Sequence, residues 1–344
     1  MDVKLLKAPI TARKVIGISL ILIAGLGATI LGSLVCGTAQ VSSVDVFRVF
    51  FDPSHVGEAT RLIVLRIRLP RIILAGLAGF TLSLGGLVFQ ALLRNPLADP
   101  FVLGVSSGAA FGAVIAIILG LSFAFGVPLF AFLGAMITIH LVLAISKRAM
   151  GIESSTAILA GVIVNAFFTA IIMFFIAIST EDRLHSMLFW LYGDLSQSRI
   201  SYSMILAPVA IAGFFLLYSF SRHLNLLAAG EESALHLGVN VEKTRLVCFL
   251  AVSLMVGAAV SFTGLIGFVG LIVPHLARML LGSDNRMLMP VSALGGALFL
   301  IAADTAARTI ISPSELPVGV ITAFLGAPFF IYLLKTRGSR WTQA

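Results

Sequence analysis

Long apolar runs separated by short polar breaks set the pattern of this chain. Windows of about 20 mainly apolar residues, the length that crosses a bilayer as a helix, fall at 15–36, 71–93, 101–120, 126–146, 156–178, 201–220, 244–263, 266–281, 288–311 and 316–334. The eighth is short and leans on Pro274, His275 and Arg278. The pattern predicts an all-α polytopic membrane protein of about ten transmembrane helices, forming one membrane domain over residues 1–344. The first run follows Lys4, Lys7, Arg13 and Lys14, as a signal peptide would. It is too long for a typical signal core, lacks a clear small-residue cleavage site, and is expected to stay as an uncleaved span. Val35 before Cys36 argues against a lipoprotein box.

The longest polar break between two spans on the side expected to be cytoplasmic is 222–245, RHLNLLAAGEESALHLGVNVEKTR. It predicts a short amphipathic helix: Gly230 leads in, Glu231 and Glu232 occupy the first turn, and Gly238 stops it after Leu237. Acids suit the positive end of the helix dipole, and glycine suits a left-handed cap. Ala234, Leu235 and Leu237 give it an apolar patch with no partner in its own loop. An ordinary connecting loop is the competing reading.

Composition agrees with the pattern. The chain is 59% hydrophobic and 11% charged, against roughly 25% charged residues in soluble domains. Its net charge of +8 reports topology rather than nucleic-acid binding. With the N-terminus inside, fifteen of the 23 Lys and Arg fall in inner segments and the other eight outside, as the positive-inside rule requires. Both termini and the 222–245 break are then cytoplasmic, and 38–70 is the first outer segment. Cys36 and Cys248 lie in apolar runs without CxxC spacing, so neither a disulfide nor a metal site is expected.

Three smaller features carry candidate chemistry. Arg61, Arg66, Arg68 and Arg71 cluster on the outer side, where positive charge is scarce. Headgroup contact by snorkelling explains them; so does docking of an acidic partner, since the guanidinium fork takes carboxylates bidentately. Between Arg94 and Pro100, two prolines four apart break the helix beside Asn95 and Asp99. Irregular backbone near membrane depth must lie against protein or a water-lined cavity. Asn165 in the fifth run is expected to hydrogen-bond between helices, His275 to pack, and Asp304 with Arg308 to pair at i,i+4. No phosphate loop, HExxH, GxSxG or catalytic carboxylate pair occurs, and the spans lack the chain of buried acids and lysines used by proton-coupled carriers. A catalytic role and a secondary-carrier mechanism therefore find no support, and a transporter of this kind must borrow its energy.

Several motifs together resemble one family, the FecCD-type permeases of ABC importers, which carry iron-siderophore, haem or cobalamin chelates. They are Arg68-Leu69-Pro70-Arg71, Gln90 with Arg94-Asn95-Pro96-Leu97-Ala98-Asp99-Pro100, Leu103-Gly104-Val105-Ser106-Ser107-Gly108, Trp190-Leu191-Tyr192-Gly193-Asp194, Gly230-Glu231-Glu232 through Val241, Gly267 through His275, and Glu315-Leu316-Pro317-Val318-Gly319 with Gly326-Ala327-Pro328-Phe329-Phe330. The resemblance runs in order from about residue 60 to 335. It implies the ten-helix type II importer permease fold in the bacterial inner membrane, a homodimer with the path at its centre, two cytoplasmic ATPase subunits and a periplasmic binding protein. It assigns ATPase coupling to Gly230, Glu231, Glu232, Ala234, Leu235, Leu237, Gly238 and Val239. Binding-protein docking goes to Arg68, Arg71 and Arg308, and the gate to Asn95, Leu97, Ser154, Ser155 and Thr156. No metal and no cofactor is expected on the chain itself, since ATP is consumed by the partner ATPase. A permease of the same fold for another cargo, such as molybdate, stays open, as does a paralogous heterodimer.

Overall fold

A computed structural model describes residues 11–148, 151–152 and 154–341. Among these, fifteen α-helices account for nearly all regular structure, and the only strands are a two-residue ladder in which Lys147 faces Ile152 and Arg148 faces Gly151. Seven helices are long and apolar enough to cross a membrane: α1 (Ala12–Val35), Glu58–Leu92, α6 (Gly126–Ser146), Thr156–Ile178 within α7 (Ser154–Ile178), α9 (Ile200–Ser219), α12 (Val241–Thr263) and α14 (Asn285–Thr309). Three shorter apolar helices join them: α5 (Val105–Ile118), α13 (Val269–Leu281) and the 318–333 part of α15 (Val318–Trp341). All ten predicted windows therefore meet a helix, although α5 and α13, at 14 and 13 residues, are shorter than a full crossing.

The second window needs a larger revision. Its helix starts at Glu58, not near residue 71: α3 (Glu58–Leu62) passes through a π-helical turn at Ile63–Arg68 into α4 (Leu69–Leu92). The charges that made 58–70 read as an outer loop are carried on continuous helix instead.

α4 is the hub. Most of its residues are buried, and it packs on α14, α12, α13 and α9. Glycines set the spacing: Gly79 lies against Gly296 of α14 and Gly86 against Gly270 of α13, so close that a Cβ at either α4 position would reach the facing backbone. Gly108 and Gly112 of α5 meet α6 the same way. Small residues allow this backbone approach in lipid, where dispersion replaces the hydrophobic drive between helices.

Between α12 and α13 the backbone is irregular over Gly264–Phe268, with Gly264 and Phe268 at positive φ. It is tied to the end of α8 (Glu181–Leu191) and the turn after it: Leu265 donates its N–H to Trp190 O at 3.4 Å, and beside it Asp194 donates its N–H to Thr263 O, at the end of α12, at 2.9 Å. This meets the demand that non-helical backbone in a membrane protein be satisfied by protein.

The bundle has two polar ends. One carries the C-termini of α1 and α14 and a short helix, α2 (Ser43–Phe51), that packs back on α1. The other carries α10 (Ser221–Ala229), which follows α9 after a bend at Phe220, and α11 (Glu231–His236).

Candidate functional site

At the α11 end, local sequence dictates the geometry. Gly230 at φ +145 bends the chain between α10 and α11, a conformation that side chains with Cβ rarely adopt. Glu231 and Glu232 stand in the first turn of α11. The helix closes with paired backbone bonds, Val239 N–H to Ala234 O and Gly238 N–H to Leu235 O, both at 3.0 Å, with Gly238 at φ +81. That pairing is the Schellman pattern, and its apolar seal is the buried Ala234 and Val239. Leu235 and Leu237 are left 55% and 66% exposed, pointing away from the bundle.

Four polar contacts lash this unit to the spans, and sequence reading had singled out none of them. Glu231 takes both arms of Arg245 from α12, at 3.1 and 2.7 Å. Asn225 of α10 donates to Asp284 Oδ1 at 2.8 Å and accepts from the Asn285 backbone N–H at 2.8 Å. Arg286 forks onto Asp284, and this bond, with help from Asn225, holds the Asp284 carboxyl at about 2 despite partial burial. Arg94, beyond the end of α4, donates Nε to Leu227 O at 2.8 Å. Arg94 has φ +49, unusual for a residue with a side chain. The only hint in the sequence was that Arg94, Arg245 and Arg286 each sit at the edge of an apolar run on the side expected to be cytoplasmic.

The Arg94 contact brings the candidate gate to the same end. Asn95 and Leu97 are exposed on a turn in which Asn95 Oδ1 accepts from the Leu97 N–H at 2.9 Å. The turn continues through Asp99, whose carboxylate accepts from the Phe101 N–H at 2.9 Å, into a short 3-10 turn at Pro100–Leu103 that packs on α7. Burial pushes the Asp99 carboxyl up to about 6. Ser154 and Ser155 open α7, but their side chains lie outside the described residues; Thr156 is partly buried. Nearby, Gln90 donates to Gly270 O and accepts from Arg278, both at 3.0 Å, pinning α4 to α13.

At the other end, the three docking candidates are not surface groups of this chain. Arg68, Arg71 and Arg308 are only 3–4% exposed. α1 has no basic residue in its last turn, and borrowed arginines satisfy its terminal carbonyls: Arg68 donates to the Leu34 and Val35 oxygens, and to Ala39 O in the loop beyond, while Arg308 donates to the Ser33 and Cys36 oxygens. Arg71 binds Asp304 at 2.9 Å and Glu315 at 2.6 Å, while Arg308 binds the second Asp304 oxygen at 3.1 Å. Orphaned helix-end carbonyls and a buried carboxylate pull these guanidiniums inward. Arg61 and Arg66 of the same cluster are exposed.

Asn165 also departs from expectation. It is exposed on the single chain, one turn from the exposed Val162, rather than buried between helices. His275 is buried, 6.1 and 6.0 Å from the rings of Phe329 and Phe330, as a packing residue would be.

A polytopic helical bundle whose spans carry a short tethered helix with two exposed leucines is built as a multi-pass membrane protein. Its sequence matches the model of the FecCD transport family over residues 22–336, and the chain belongs to that family. It is 43% identical over 328 residues to an ABC transporter permease of Bacillus subtilis, covering 92% of this chain and 93% of that one. It is 45% identical to the cobalamin import system permease of Halobacterium salinarum (83% and 76% covered) and 38% identical to the hemin transport system permease of Yersinia pestis (88% and 91%). The fold matches a solved metal-chelate type ABC transporter in an inward-facing conformation, with a TM-score of 0.80 and 34% identity over 93% of this chain and 99% of that one.

Proposed function

We propose that this chain is the membrane-spanning permease of a binding-protein-dependent ABC importer in the inner membrane, carrying a metal chelate of the iron-siderophore, haem or cobalamin class into the cytoplasm. The observation that carries the reading is α11: two exposed leucines on a capped helix whose acid is clamped to α12 by Arg245. A helix so held cannot swing freely, so a load on Leu235 and Leu237 passes into the spans. The load comes from a cytoplasmic ATPase pair that closes on ATP, and the spans respond by switching between outward and inward access. Of the gate residues, Asn95 and Leu97 follow α4 beside Arg94, whose bond to Leu227 ties their turn to α10, while Ser154, Ser155 and Thr156 open α7.

The α7 face with Asn165 supports a second copy of the chain. A lone amide facing lipid is costly, and a partner helix or a hydrated path along a two-fold axis removes that cost. At the opposite end, the exposed Arg61 and Arg66 offer charge to an acidic binding protein, with Arg68, Arg71 and Arg308 as the buried framework beneath them. Proteoliposomes holding the permease, its ATPase and its binding protein test the function. ATP-dependent entry of one of ferric siderophore, haemin or cyanocobalamin is expected. Entry that proceeds unchanged with a hydrolysis-dead ATPase overturns it.

A further inference from the structure

The helix α2 is divided in a way that its own chain does not explain. Val46 and Val49 are buried in the core of the bundle. Val44, Phe47 and Phe51, at three- and four-residue spacing, form a second apolar strip with Phe50 beside it. All four are exposed, Phe51 by 83%. Arg48 and Asp45, 3.9 Å apart, occupy the remaining side and are the only charged residues of the helix. The apolar surface of α2 is thus continuous around most of its circumference, and the protein covers only part of it.

The level of the helix is fixed by its neighbours. Asp45 lines a shallow cavity together with Val35 and Cys36 at the end of α1 and Thr309, the last residue of α14. α2 therefore lies where two membrane-crossing helices finish, and it packs on α1, which leans on α14 but has no fully buried residue in its most apolar stretch. Phenylalanines at that height, next to a lipid-facing helix and edged by an arginine, have the make-up of a helix lying in the membrane interface.

We propose that α2 is a membrane-surface anchor. Phe47, Phe50 and Phe51 enter the boundary between headgroups and acyl chains, Arg48 reaches the lipid phosphates, and Asp45 faces water. The partner is the lipid surface itself. The consequence is mechanical: the 36–57 segment joining α1 to α3 is held at a fixed depth while the other end of the bundle moves. The inference needs only that the chain spans a membrane, so it stands or falls separately from the cargo and the ATPase.

Site-directed spin labelling of the full chain in lipid nanodiscs decides it. In a Cys36→Ser/Cys248→Ser background, Phe51→Cys, Phe47→Cys and Arg48→Cys each receive a nitroxide, and collision with oxygen is compared with collision with a water-soluble nickel chelate. The expected result is an oxygen-to-nickel ratio at positions 47 and 51 several-fold above that at 48. A high nickel collision rate at 47 and 51 means the aromatic strip faces water and overturns the proposal. Protection from both reagents means that protein, such as a second copy, covers the strip, and overturns it equally. Two labelled phenylalanine positions guard against one variant failing to fold.

Discussion

The two ends of the bundle treat polar and apolar groups in opposite ways. At the α1–α14 end, three arginines and Asp304 are drawn inside and satisfied by carbonyls and carboxylates of the same chain. At the α11 end, charges pair along the surface while two leucines are turned outward with nothing over them. Desolvating a charge is costly unless every donor finds a partner, whereas exposing a leucine costs only apolar surface that another protein can cover. The first arrangement holds its charges as internal framework, and the second leaves apolar surface free for a partner.

The largest expected effect breaks the architectural end. Asp304→Ala leaves Arg71 and Arg308 buried without their shared carboxylate, which should cost about 3–5 kcal/mol. Thermal unfolding in detergent should show a collapse in yield or a large fall in Tm. An unchanged Tm would mean that the arginines reach water, and would return them to the surface role that the motif resemblance assigned.

The opposite signature is expected at the other end. Leu235→Asp with Leu237→Asp should lower ATP-driven uptake at least about tenfold, a loss of about 1.4 kcal/mol or more of interface energy. The fold should barely respond, within about 0.5 kcal/mol, because neither side chain is buried. Uptake measured beside Tm separates the outcomes; unfolding in step with lost uptake would make the two leucines core residues.

This contrast also marks how far the sequence could be read. The apolar windows found every major helix, because a bilayer forces spans to be long and continuous. Gly230, the paired acids and Gly238 revealed α11, because caps are local chemistry. What the sequence hid is long-range. Arg68 and Arg71 look the same in a motif whether they face a partner or the end of α1, and only folding brings Leu34 and Asp304 to them. The π-helical passage at Ile63–Arg68 was hidden by its own charges. Asn165 was assigned a buried partner that the single chain does not supply.

The clamp under α11 gives a sharper, smaller test. Arg245→Glu alone should weaken the seat of α11 and reduce uptake per ATP hydrolysed, and Glu231→Arg should do the same. If the pair acts as a unit, the double swap should recover part of both losses, with a coupling energy of roughly 1–2 kcal/mol. Additive losses would show that each residue acts on something else.

The smallest effect concerns Asp99, in the turn that carries the gate candidates Asn95 and Leu97. Burial raises its carboxyl to about 6, above the roughly 3.9 of an unfolded chain. The folded state then binds the proton more tightly, so stability rises as pH falls through the folded value and levels off below the unfolded one. From about pH 7.5 to about pH 5.5 the gain at this site should be somewhat under 1 kcal/mol. Asp99→Asn keeps an oxygen able to accept from the Phe101 N–H, so it should preserve the turn while erasing this pH response. Unfolding curves of both proteins at the two pH values isolate the site, since every other titrating group is shared. A variant that gains as much as the parent on acidification would place Asp99 in water, and with it the turn between Arg94 and Pro100.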